Sequence, residues 1–137
     1  MNTQVADRYS AIDSSAASAA FAVAVNILDH WGCTPVQKEA LLGMKKSALY
    51  KKINESANKQ PINLDRDQFD RVSYILNIHQ ALKMIFSNAE NVYGFVSMPN
   101  NNPYFNGKAP LEIMASGSLA ALYEVYNRID SLRNAGW

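Results

Sequence analysis

From Ser15 onward, apolar residues recur at helical spacing. Phe21, Val25 and Leu28 stand four and three apart, the signature of a helix with one buried face. This segment is expected to run to about Trp31, where Gly32 supplies a stop. Thr34-Pro35 then reads as an N-cap followed by proline at the first helical position. The short helix it opens is expected to turn Val36, Ala40 and Leu41 inward and to break at Gly43. A second short helix opens near Ser47, with Leu49 and Ile53 inward. Two helices joined by a tight glycine turn form the helix-turn-helix pattern.

The second half continues in the same period. Residues 57–64 are polar, contain Pro61, and mark the expected domain boundary. Asp65 and Gln68 form a capping-box-like pair. They open a long helix whose expected inward stripe is Phe69, Val72, Leu76, His79, Leu82 and Phe86. A shorter helical segment follows around Glu90–Ser97, interrupted by Gly94. "MPNNNPYFNGKAP" is a loop by its prolines, asparagines and glycine. Pro110 restarts a helix, Gly117 interrupts it, and a last helix carries Leu119, Leu122, Tyr126, Ile129 and Leu132. No strand pattern or internal repeat competes, so the fold class is all-α. The expected division is a polar lead-in at 1–15, a helix-turn-helix domain at 16–60 and a second helical domain at 61–137.

Composition narrows the function classes. With 48% hydrophobic residues the chain can build a packed core. A net charge of +1 sets up no global field toward nucleic acid or membrane. Charge matters locally: between Val36 and Gln60 six lysines face two glutamates, a balance of +4. With Leu49 and Ile53 inward, Ser47, Lys51 and Asn54 point outward, with Tyr50 beside them and Lys45 and Lys46 close by. Lysines neutralise phosphates and fix register, while short polar side chains reach base edges. The candidate DNA-binding set is therefore Lys45, Lys46, Ser47, Tyr50, Lys51 and Asn54. So modest a basic module needs paired half-sites, hence a homodimer or larger assembly.

Catalytic chemistry finds little support. The single cysteine, Cys33, excludes an internal disulfide and fits a reducing cytoplasm. His79 falls on an apolar stripe and reads as a core histidine. Asp65, Asp67 and Asp70 interleave with Arg66 and Arg71 and read as capping and surface pairing. No metal-ligand spacing appears, so no catalytic residue, metal or cofactor is expected. The alanine-rich stretch Ala16–Leu28 is closed by Asn26, Asp29 and His30 before it could span a bilayer. Aromatics crowd the second half: Tyr93, Phe95, Tyr104, Phe105, Tyr123, Tyr126 and Trp137. Such residues suit interfaces, and Trp137 after Gly136 stands on a tail.

"LLGMKKSALYKKI", "VSYILNIHQALKMIF", "PNNNPYFNGKAPLEIMASGSLAALYEVYNRID" and a terminal Gly-Trp together resemble the Xre/MbcA/ParS family of bacterial antitoxins. The resemblance covers roughly Leu28 to Trp137 and is most specific from Pro99 through Asp130. It implies an Xre-like helix-turn-helix domain followed by a small toxin-binding helical domain. The implied partner is a RES-fold toxin that consumes NAD, neutralised by covering its active site. The second implied activity is repression of the protein's own operon. The family motif carries over onto Asn100, Phe105, Gly107, Pro110, Leu111, Glu112, Gly117, Leu119, Ile129, Asp130 and Trp137, many of them architectural. Contact with toxin is expected from Asn127, Arg128, Arg133, Gly136 and Trp137. The end reads "RNAGW" where the family has a compact Arg-Gly-Gly-Trp, so Arg133 stands one residue further from Trp137. Apart from the resemblance, the residues leave open a solitary helix-turn-helix regulator whose second domain dimerises.

Overall fold

The structure, a computed structural model, describes residues 3–134, with side chains from residue 14 onward. Helices α1 (Thr3–His30), α2 (Pro35–Leu42) and α3 (Lys46–Ala57) form the N-terminal part. The long α4 (Arg66–Ile85) follows, then α5 (Ala89–Gly94), which tightens into a 3₁₀ turn at Phe95–Ser97, α6 (Pro110–Met114) and α7 (Leu119–Asn134). No strand occurs among the described residues, so the molecule is all-α as expected. No helix among them is long and apolar enough to cross a membrane.

The helix ends follow the local chemistry. At the end of α1 the Gly32 N–H donates to Asp29 and the Cys33 N–H to Leu28, a Schellman closure with Gly32 at φ 76°. Thr34 caps α2: its hydroxyl accepts from the Gln37 N–H, and Gln37 accepts the Thr34 N–H in return. Asp65 and Gln68 make the same reciprocal box at the start of α4. Gly43 ends α2 at φ 64°, a left-handed conformation that costs a residue bearing Cβ about 1–2 kcal/mol. A Cβ there would also stand 2.8 Å from Arg71 Nε.

Three expectations need correction. The helix does not begin near Ser15: α1 starts at Thr3, because the polar lead-in holds no glycine or proline to stop it. Val36 does not face inward but is 73% exposed; the buried pair of α2 is Leu41 and Leu42. The face of α4 is rotated from the expected stripe. Val72, Ile75, Ile78 and Leu82 are buried, whereas Phe69, Leu76, His79 and Phe86 are only partly covered. The cause is that α4 packs against several helices, α1, α2, α5 and α7. Its buried arc is therefore wider than one amphipathic stripe.

One continuous core runs from Ala17, Phe21 and Leu28 of α1 through Leu49 and α4 to Leu122, Val125 and Ile129 of α7. Helices α4 and α7 run in the same direction. Arg71 meets Gly117, Tyr74 stacks edge-on against Tyr123, and Met84 meets Arg133. The return crossing is made by α5, the asparagine-rich loop and α6.

Candidate functional sites

The helix-turn-helix face is built by α2, the Gly43 turn and α3. All six candidate residues, Lys45, Lys46, Ser47, Tyr50, Lys51 and Asn54, are exposed. On α3 the spacing of Ser47, Tyr50, Lys51 and Asn54 puts them on one side, opposite buried Leu49 and Ser56. Lys45 is the N-cap of α3 and makes no side-chain cap hydrogen bond, and the first turn contains no acid. Lysines at a helix N-terminus are disfavoured by the helix dipole and its unpaired N–H groups. An arriving phosphate reverses that sign, meeting both the lysines and the N–H groups. Lys45, Lys46 and Lys51 have no ion-pair partner among the described residues. Lys52 is different: its Nζ donates to the Asn63 carbonyl at 2.7 Å and braces the connector.

The second candidate face lies on α7. Asn127 and Arg128 are both exposed; Asn127 lies opposite buried Leu122, Val125 and Ile129, and Arg128 lies on the flank of that stripe. The Arg128 guanidinium sits over the Tyr104 ring, 4.8 Å from its centroid. The Tyr104 hydroxyl donates to Glu124 Oε2 at 2.9 Å. Burial, reinforced by that bond, pushes the tyrosine pKa up to about 12. The arginine is thus held over an aromatic face, with a carboxylate on the same helix facing the same loop. Arg133 is not part of this group. It pairs with Asp130 at 2.9 Å and lies against Met84 Sδ, on the flank of α7 that faces α4. Gly136 and Trp137 lie outside the described residues.

The Pro99–Asp130 motif is mostly scaffold. Phe105, Leu111 and Ile129 are buried. The Asn100 carbonyl accepts from the Gly107 N–H, its N–H donates to Lys108, and its side chain accepts from the Asn102 N–H. Gly107 and Gly117 adopt φ 84° and 93°, conformations that favour glycine. Of the aromatics proposed for an interface, Phe95 and Phe105 are core, while Tyr123 is 49% exposed beside Tyr74.

Arg71 makes the expected pair with Asp67, but from a buried position rather than on the surface. It is 7% exposed. Nε donates to Asp67 Oδ2 at 2.8 Å, Nη1 to the Ala40 carbonyl at 2.8 Å, and Nη2 to the Gly117 carbonyl at 2.7 Å. One side chain therefore fastens the end of α2 to the turn that launches α7. The sequence signal was Val72 beside it, already placed inward, but the acceptors are backbone carbonyls that residue types do not reveal.

The histidines, distant in sequence, meet around one ring. Tyr93 stacks on His30 at 4.4 Å and on His79 at 5.3 Å. The His30 Nδ1–H donates to the Asn26 carbonyl, whereas His79 Nδ1 is buried with no hydrogen-bond partner among the described residues. Burial, with Lys83 and His30 nearby, holds the His79 pKa below its ordinary 6.5. Cys33 is half-buried and burial pushes its thiol up to about 11, so it is a poor nucleophile. No group of three His, Cys, Asp or Glu among the described residues is placed to hold a metal ion.

These features define a helix-turn-helix protein carrying a second helical face. Residues 10–77 match the family model described as "Antitoxin Xre-like helix-turn-helix domain". The segment from α1 into the first half of α4 is an Xre-like helix-turn-helix domain, and the match supports an antitoxin and DNA-binding regulator. Its range passes residue 60 and takes in part of α4. The chain is also similar to "Uncharacterized protein y4oB" of Sinorhizobium fredii (strain NBRC 101917 / NGR234). That protein is 26% identical over 121 residues, covering 88% of this chain and 89% of its own length. No solved structure matches the chain.

Proposed function

We propose that the protein is the antitoxin of a type II toxin–antitoxin pair. It neutralises a RES-type, NAD-consuming toxin and represses its own operon. The match of residues 10–77 to an antitoxin helix-turn-helix domain carries this reading. On the DNA side, Lys45, Lys46 and Lys51 neutralise phosphates while Ser47, Tyr50 and Asn54 face the major groove. A homodimer places two such helices on paired half-sites.

On the toxin side, Asn127 and Arg128 of α7, with Arg133 and the Gly136-Trp137 tail, cover the nucleotide pocket and exclude NAD. The RES-type partner is supported by the resemblance of the Pro99–Asp130 run and the terminal Gly-Trp. Arg128, held over Tyr104 before contact, loses little side-chain entropy on binding. No catalytic group of this chain is needed for that role. The experiment is expression of a RES-type gene found beside this one, with and without the protein, reading cellular NAD and co-purification. NAD loss that the protein reverses, with a stable complex, is the expected result. NAD loss without rescue or complex would turn the assignment to a solitary regulator whose second domain dimerises.

A further inference from the structure

Arg128 lacks the partner that its own helix offers. Glu124 stands four residues earlier on α7, on the same flank, and both side chains are exposed. An acid four positions before a basic residue is the favourable order for a helical ion pair. The other arginines whose side chains are described, Arg66, Arg71 and Arg133, each pair with an acid three or four positions away. Arg128 makes no ion pair, and its guanidinium N–H groups reach no acceptor, among the described residues.

Tyr104 accounts for the difference. Its hydroxyl donates to Glu124 Oε2 at 2.9 Å, and its ring face holds the guanidinium with Cζ 4.8 Å from the centroid. One side chain thus engages both charges, each through a different group, and keeps them apart. The tyrosine is itself fixed: its N–H donates to Asn102 Oδ1, and its ring meets buried Phe105 edge-on at 5.0 Å. With its pKa pushed up to about 12 by burial and the bond to Glu124, the phenol keeps the proton it donates. The guanidinium that remains is a planar fork of donors, which matches a carboxylate through two parallel N–H···O bonds. A doubly charged phosphate fits this place less well. Glu124 stands beside it, and the next arginine of α7, Arg133, is already tied to Asp130.

We propose that Tyr104 is a positioning residue that withholds Arg128 from Glu124 and reserves its guanidinium for an aspartate or glutamate side chain of the partner protein. The withholding is a property of the free chain. The identity of the partner rests on the proposed antitoxin function.

Two measurements separate these parts. In the free full chain, the side-chain Nε–H signal of Arg128 is followed by nitrogen–proton NMR and assigned with Arg128→Lys. Tyr104→Phe keeps the ring face and drops the hydroxyl, which frees Glu124 to capture the guanidinium. It should move the Arg128 signal in the native background and leave it in place in the Glu124→Gln background. A move in both backgrounds, or in neither, overturns the withholding. The second measurement is affinity for the purified product of the neighbouring RES-type gene. Tyr104→Phe should weaken binding several-fold in the native background and hardly at all in the Glu124→Gln background. Arg128→Lys, which keeps the charge and loses the fork, should weaken it several-fold as well. An equal loss from Tyr104→Phe in both backgrounds would make Tyr104 a packing residue and overturn the proposal. So would unchanged binding by Tyr104→Phe or by Arg128→Lys. Absence of any complex refutes the antitoxin reading and leaves the free-chain signals to decide the positioning role.

Discussion

The helix-turn-helix face and the α7 face carry cations in opposite ways. On α3, Lys45, Lys46 and Lys51 are solvated and unpaired among the described residues, and Lys45 leaves the N-terminus uncapped. On α7, Arg128 is laid over Tyr104, and Arg133 is tied to Asp130. Loose point charges suit a polyanion whose phosphates recur along a helix and whose affinity comes from counterion release. A guanidinium fixed before contact suits a partner with one shape. What joins the faces is α4, whose Arg71 bonds to backbone of both regions.

Damage to what the two faces share should have the largest effect. Ile75 is fully buried at the centre of α4. Ile75→Ala should cost about 2–5 kcal/mol, read by denaturant unfolding, and should weaken both faces together. Arg71→Met should cost about 2–3 kcal/mol, because the Ala40 and Gly117 carbonyls are left without their donor. A loss of binding confined to one face would show that this side chain does not couple them.

Lys46→Ala should instead separate the faces. Stability should hardly change, since the side chain is exposed. The log–log salt slope of operator binding should fall by about one, for the single phosphate that Lys46 no longer neutralises, with partner binding unaltered. A fall of equal size at every DNA sequence would place Lys46 on phosphate rather than on a base.

The smallest effect is on pH. His79 is held below 6.5 in the folded chain, chiefly by burial, so folding favours the neutral ring. The unfolded chain therefore binds more protons as pH falls through 6.5, and stability drops there with falling pH. Its contribution is fully present above that value. In His79→Gln, thermal unfolding scans between pH 5 and 7 should show a shallower dependence than in the native chain.

Punctuation was the most legible part of the sequence. Thr34-Pro35, Asp65 with Gln68, Gly43 and Gly117 act on their own backbone within a few residues, so their types sufficed. The outward set on α3 was legible for the same reason: one inward pair, Leu49 and Ile53, fixes the opposite side. The register of α4 was not, because an arc set by several neighbours has no single stripe. The role of Arg71 was hidden because its acceptors sit at residues 40, 41 and 117, brought together only by the fold. Tyr104 and Arg128 were each visible, but their contact spans 24 positions between a loop and a helix.

The separation of the two faces is tested most directly by NAD content in cells expressing the proposed RES-type partner, with this protein supplied from an unrelated promoter. Two variants are compared with the native chain, one carrying Lys45→Ala, Lys46→Ala and Lys51→Ala, the other Asn127→Ala and Arg128→Ala. The first should restore NAD as fully as the native protein, and the second should leave it depleted. Full rescue by the second, or failure of the first, would refute the division of labour between α3 and α7.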